Sequence, residues 1–336
     1  MSITPLLYNP QERRLRSGLR LVIQTGFYYL INIVLYAALA AGYFMVESSM
    51  GAGVDVEISP GFLLVTALIT GFVVLLSVWL AARFLDHRPC TDFGLSLDRA
   101  WWGDLLFGLL LGGVLMAGIF GVEWGMGWIR VTEAMGLGGQ PILWEALAAP
   151  LILYIAVGIY EEILFRGYRL RNLAEGVGAL GSNPRWGVVA AWILSSIWFG
   201  LAHRNNPNAS LISNINLALA GLFLGLGYIY TGRLGLSIGV HISWNFFQGN
   251  VFGFPVSGTR IFPASLIAVT QDGPSLWTGG AFGPEAGLLG IAAMLIGSLL
   301  ILAWIQWRHG RVALYTPAAF YSAPHAGGSL SSVESS

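Results

Sequence analysis

Eight stretches of this 336-residue chain are each apolar for about the length needed to cross some 30 Å of hydrocarbon, and that pattern leaves few architectures open. They fall near 21–45, 62–84, 103–122, 143–165, 187–203, 211–230, 235–254 and 286–307. Inside a bilayer each backbone N–H and C=O needs a partner within the chain, so segments of this length read as helices. Hydrophobic residues make up 55% of the chain and charged ones 10%, with a mean hydropathy of +0.68. A soluble domain could not hide that much apolar surface. The expected fold class is all-α, a polytopic membrane protein with about eight transmembrane helices.

The distribution of charge sets the expected orientation. All 17 basic residues are arginine. Arg13, Arg14, Arg16 and Arg20 precede the first stretch, and Arg83, Arg88 and Arg99 lie between the second and third. Arg166, Arg169, Arg171 and Arg185 follow the fourth, Arg233 the sixth, and Arg308 and Arg311 the eighth. Only Arg130, Arg204 and Arg260 fall on the other side, so the positive-inside rule places both termini in the cytoplasm. The first apolar run, about twenty residues, exceeds the core of a signal peptide and reads as a retained span. A lone Cys90 allows no internal disulfide and gives no metal-ligand spacing. No internal repeat is evident, which weighs against a transporter built on inverted halves. Nothing in the charge pattern points to a nucleic-acid partner.

The polar residues inside these stretches need a reason, because an ionisable side chain at membrane depth costs about 2.5–3.5 kcal/mol on insertion scales. Glu161 and Glu162 sit together in the fourth stretch, four residues before Arg166 in the case of Glu162. Residues four apart share a helix face, so Glu162 and Arg166 can pair. Glu161 points about 100° away and lacks that partner, which makes it a candidate general base. The fifth stretch ends Phe199-Gly200-Leu201-Ala202-His203, and counted from the turn at 176–184, His203 and Glu161 come to similar heights. The seventh carries His241 and Asn245, again four apart, either of which could donate to an oxyanion. Counted along its own stretch, His241 lies at a different depth from His203, so tilted or broken helices are needed to unite them. Taken singly, these features also fit a structural salt bridge, a helix-end cap and an interhelical hydrogen bond.

Glu161-Glu162-x-x-x-Arg166, Phe199-x-x-x-His203 and His241-x-x-x-Asn245, in that order on successive apolar segments, resemble the motif set of the CPBP family. This is the family of CaaX-processing and bacteriocin-processing intramembrane proteases, also called type II CaaX prenyl endopeptidases or Abi proteins. The small-residue run Ala220–Gly225 and the loop pieces 252–258 and 279–285 are similar to those of bacterial members. The resemblance implies an intramembrane glutamic-type endopeptidase. In it, Glu161 would activate water with help from His203, and His241 and Asn245 would stabilise the oxyanion. Glu162 and Arg166 would support the site, and no cofactor would be needed. It further implies a membrane-associated peptide or protein substrate, a prenylated CaaX-type one included, and a bacterial inner (cytoplasmic) membrane.

The matching domain reading places a cytoplasmic arm at 1–20, accessory helices at 21–142 and the catalytic core at 143–254. A Gly-rich external loop at 255–285, long enough to be a cap, is followed by the last transmembrane helix at 286–312. The Ser-, Ala-, Gly- and Pro-rich segment 313–336 reads as a disordered tail. Two alternatives keep the same residues. One is a zinc-dependent membrane protease, since one glutamate with two histidines is a zinc set that leaves a fourth position open for water. The other is a membrane scaffold or immunity protein without turnover.

Overall fold

A computed structural model of the protein describes residues 7–50, 60–134, 136–137, 140–141, 144–181, 183–262 and 264–321. Its helices are α1 (Ser17–Met50), α2 (Pro60–Ala81), α3 (Arg99–Gly125), α4 (Trp144–Glu162), α5 (Leu170–Gly178), α6 (Pro184–Ala202), α7 (Leu211–Thr231), α8 (Gly235–Phe246) and α9 (Leu288–His309). A π-helical segment, Ile163–Arg169, joins α4 to α5, giving one apolar rod from Ala146 to Gly178, 33 residues long. Among the described residues seven helices are long and apolar enough to cross a membrane. The protein is thus an all-α, multi-pass membrane protein.

The expected eighth segment is α8, which has only 12 residues but, continued by the π-helical segment Phe247–Val251, still runs from one end of the bundle to the other; every residue from Gly235 to Trp244 is buried. A helix apolar on all sides belongs in the interior of a bundle. It therefore crosses the bundle in its interior, and its hydrophobicity alone could not separate this from a lipid-facing span. It lies against α3 at van der Waals contact of the two backbones. A Cβ at Gly108 would come 2.4 Å from the Leu236 carbonyl oxygen, and one at Gly239 would come 2.3 Å from that of Leu105. Both helices carry small residues four apart here, Gly108 with Gly112 and Gly235 with Gly239, the spacing that lets membrane helices approach closely.

The chain enters and leaves the bundle at one end. There Glu175 of α5 accepts from Arg14 and Arg20 at 2.8 and 2.9 Å and also pairs with Arg88, while Asp86 pairs with Arg20 and accepts from Tyr168 at 2.9 Å. Three arginines counted as loop charges in the sequence are therefore buried in an ion network. Arg14 also lies 3.5 Å from the ring centroid of Tyr321. The segment expected to be disordered from 313 is accordingly packed as far as Tyr321. Tyr315 N–H donates to Ile229 O at 2.7 Å, and Thr316–Ala319 forms a 3₁₀ turn with Ala318 and Ala319 buried. Its small residues fit beside Gly178, where a larger side chain would not. The rest of the expected tail, 322–336, lies outside the described residues.

At the opposite end, β1 (Ile129–Ala134) pairs antiparallel with β2 (Ile267–Gln271), with a register shift between Val131 and Glu133. The long segment between α8 and α9 thus holds a strand, and its first part, 252–262, folds over the bundle.

The α3–α8 contact generates a test. At Gly108 the obstacle is a neighbouring backbone, which cannot swing aside. Gly108→Ala should destabilise the protein by about 1–3 kcal/mol, read as a lower unfolding midpoint in detergent. Gly118→Ala, on the same helix with nothing within 4 Å of the added atom, should leave the midpoint unchanged.

Candidate active site

Glu162 is fully buried, and its Oε1 accepts from Arg166 Nη1 and from His241 Nδ1, each at 2.8 Å. The first contact is the i,i+4 pair anticipated from spacing. The second was not legible, because it joins residues 79 apart in the chain. His241 Nε2 lies 3.8 Å from Glu161 Oε2, so the imidazole stands between the two adjacent carboxylates. Glu161 keeps 15% of its side-chain surface, and its Oε2 has no protein donor.

The levels of these groups follow from the packing. The space beside Gly167 is filled by Phe93 and Leu234, so α8 starts next to the π-helical segment, about five residues below Glu162 on the rod. Six residues up α8 is His241. At about 1.5 Å per residue the two climbs nearly match, which brings His241 level with Glu162 without any break in α8. On the other side α6 runs antiparallel to the rod and ends at Ala202, with His203 as its C-cap.

Phe199 ties these parts together. Its carbonyl accepts from His203 Nδ1 at 2.8 Å, which makes Nδ1 the protonated nitrogen and leaves Nε2 as an acceptor in the neutral ring. Its aromatic ring lies 4.3 Å from the Arg166 guanidinium, 4.8 Å from the His203 ring and 6.2 Å from the His241 ring. Arg166 also donates to Gly221 O at 3.2 Å, in the small-residue part of α7. Glu162 and Arg166 therefore lie behind the site.

Glu161, His203, His241 and Asn245 line one cavity of about 470 Å³. No hydrogen bond joins Glu161 to His203; they face the same space. The walls are mainly apolar, with Leu153, Phe165, Phe223 and Trp244 among them, and Ala67 and Thr70 of α2 close one side. The roof carries Asn206, Ser257 and Glu285, residues to which the sequence reading gave no role. Among the described residues no group of three His, Cys, Asp or Glu side chains is placed to hold a metal ion. Both histidines spend Nδ1 on protein acceptors.

The bundle and its cavity define a polytopic helical membrane protein with a polar site enclosed by apolar helices. Residues 143–247 match the family described as type II CAAX prenyl endopeptidase Rce1-like, and the matched segment carries Glu161, Glu162, Arg166, His203, His241 and Asn245. The chain is also similar to the uncharacterized protein YyaK of Bacillus subtilis (strain 168), 26% identical over 208 residues. That alignment covers 60% of this chain and 64% of the relative, so the chain spans less than two thirds of the relative's length. No solved structure matches.

Burial pushes the Glu285 carboxyl up from its ordinary 4.5 to about 7. A carboxyl raised on folding contributes stability that is full below about pH 4.5 and lost as pH rises through about 7. Between pH 5 and pH 8 the unfolding midpoint of the wild type should therefore fall relative to that of Glu285→Gln, which does not titrate. Parallel pH profiles for the two proteins would contradict this.

Proposed function

We propose that this protein is an intramembrane endopeptidase that hydrolyses a peptide bond of a membrane-associated substrate, prenylated CaaX-type substrates included. The observation that carries the reading is the convergence of Glu161, His203, His241 and Asn245 on one apolar-walled cavity, with Glu161 Oε2 lacking a protein donor. The match of residues 143–247 to the Rce1-like family supports the same chemistry.

In the proposed reaction Glu161 takes a proton from a water lying between it and His203, whose Nε2 accepts the second water hydrogen and aims the oxygen at the scissile carbonyl. The carbonyl oxygen becomes an oxyanion that receives hydrogen bonds from His241 Nε2–H and the Asn245 amide. Because His241 Nδ1–H is already given to Glu162, donation from Nε2 requires the imidazolium form. The Glu162 carboxylate balances that charge and Arg166 holds Glu162 in place. Glu161 then passes its proton to the departing amine as the C–N bond breaks, which returns the carboxylate. No metal enters this scheme. The proposed setting is the inner membrane with both termini cytoplasmic. The meeting of the first and last described segments at one end of the bundle supports a common side for the two.

The test is cleavage of a prenylated CaaX peptide and of a quenched membrane-peptide library by the purified protein in detergent. Cleavage by the wild type should drop by at least about 10²-fold in Glu161→Ala and in His203→Ala, and a zinc chelator should leave it unchanged. Chelator-sensitive cleavage would favour zinc. Equal activity in the wild type and Glu161→Ala would overturn the glutamate mechanism. A folded protein that cuts nothing would favour the scaffold reading.

A further inference from the structure

The buried carboxyl in the cavity roof has no part in the reaction as written. Glu285 is 4% exposed and lies in the short 3₁₀ turn Pro284–Ala286, just before α9. Its Oε1 accepts from Ser257 N–H and its Oε2 from Gln248 Nε2, and Gln248 in turn donates to Pro255 O. The roof turn 255–259 is thus held from above by Glu285 and from the α8 side by Gln248. On its other face the same turn is tied to the one that follows His203. Asn206 Nδ2 donates to Ser257 O at 2.9 Å, and Asn206 N–H donates to His203 O at 3.0 Å. The two loops are in backbone contact here, since a Cβ at Gly258, whose φ is +81°, would fall 1.8 Å from Pro207 O. Gly258 N–H donates to Phe282 O at 2.7 Å, closing the roof on the segment that carries Glu285.

A continuous path therefore runs from Glu285 through the Ser257 peptide groups and the Asn206 amide to the His203 carbonyl. The helix proper stops at Ala202, so His203 is a cap residue, and its backbone is set by this turn as well as by α6. We propose that Glu285 is a positioning residue for His203, acting through Ser257 and Asn206 to fix the turn that presents the imidazole to the cavity. The proposal rests on the proteolytic reading for its kinetic consequence, while its structural consequence is independent of any substrate. Glu285→Gln is a sharp probe. Above about pH 7, where Glu285 is ionised, the carboxylate offers acceptors to two donors, whereas an amide must turn its NH₂ toward either Ser257 N–H or Gln248 Nε2.

The experiment compares the wild-type full chain with Glu285→Gln, Asn206→Ala and the double variant. Two readouts are taken on the same detergent preparations: cleavage kinetics and hydrogen exchange of peptides covering 203–209 and 255–259. Expected is a fall in kcat of about 10- to 100-fold in each single variant, with KM within about twofold. Exchange in both peptides should be faster, and the double variant should be no worse than the poorer single one, because both changes break one path. Additive losses in the double variant, or a change in KM alone, would overturn the positioning role. Unaltered exchange at 203–209 in Glu285→Gln would overturn the path whether or not any substrate is cut. If the wild type cleaves nothing, the proteolytic reading fails while exchange still decides the path. Should Glu285→Gln not fold, Asn206→Ala carries the decision: it must quicken exchange at 255–259 as well as at 203–209, and failure to do so would overturn the proposal.

Discussion

One buried oxygen, Glu162 Oε1, holds the registration of four helices. It accepts from Arg166 on its own rod and from His241 on α8. Through Arg166 it also reaches the Phe199 ring on α6 and the Gly221 carbonyl on α7. Isolated, such a carboxylate would be costly at this depth; two donors on Oε1 offset that cost, and removing one partner of a buried pair typically costs about 3–5 kcal/mol. That cost makes the arrangement close to all-or-none. The four helices sit at the heights where both donors reach the carboxylate, and those heights also bring Glu161, His203 and Asn245 to the same cavity.

The backbone makes this possible in two places. The π-helical segment Ile163–Arg169 begins immediately after Glu162, a local widening of the helix of the kind often found at functional sites. The glycine contact between α3 and α8 seats a 12-residue helix wholly inside the bundle. With no lipid-facing surface to maintain, α8 can present His241 inward at a depth set by contact with α3 and the rod. Above it, the segment from 252 to 287 folds back over the cavity and supplies polar groups at the roof. The chamber is thus polar at its floor and roof and apolar along its walls, a setting in which hydrogen bonds and charges act strongly.

Much of the site is legible in the chain because its spacing is helical. Glu162 with Arg166, and His241 with Asn245, are four apart, so each pair shares a face in any helix that contains it. The adjacency of Glu161 and Glu162 likewise forces one to look elsewhere once the other is paired. The equal heights of Glu161 and His203 follow from counting outward from one turn. Other parts could not be read this way. Arg14, Arg20 and Arg88 look like loop charges, yet they converge on Glu175 and Asp86 from three distant segments. Residues 315–321 have the composition of a loose tail, yet they pack, because Ala319 fits beside Gly178 and Tyr321 covers Arg14. The twin glycine pairs of α3 and α8 were a visible signal for their close contact, although not for which helix each would face.

What the sequence by itself determined is therefore everything that one helix decides alone: its length, its apolarity and which polar residues share a face. Those follow from 3.6 residues per turn and from the cost of bare polar groups in hydrocarbon. Only the tertiary structure decided that α8 crosses the bundle in its interior rather than against lipid, that His241 belongs to Glu162 as well as to the cavity, and that Glu285 reaches the turn after His203. Each of these depends on the relative height and contact of segments far apart in the chain, and such heights are fixed by backbone packing at glycines and by shared buried hydrogen bonds, neither of which has a period that a sequence displays.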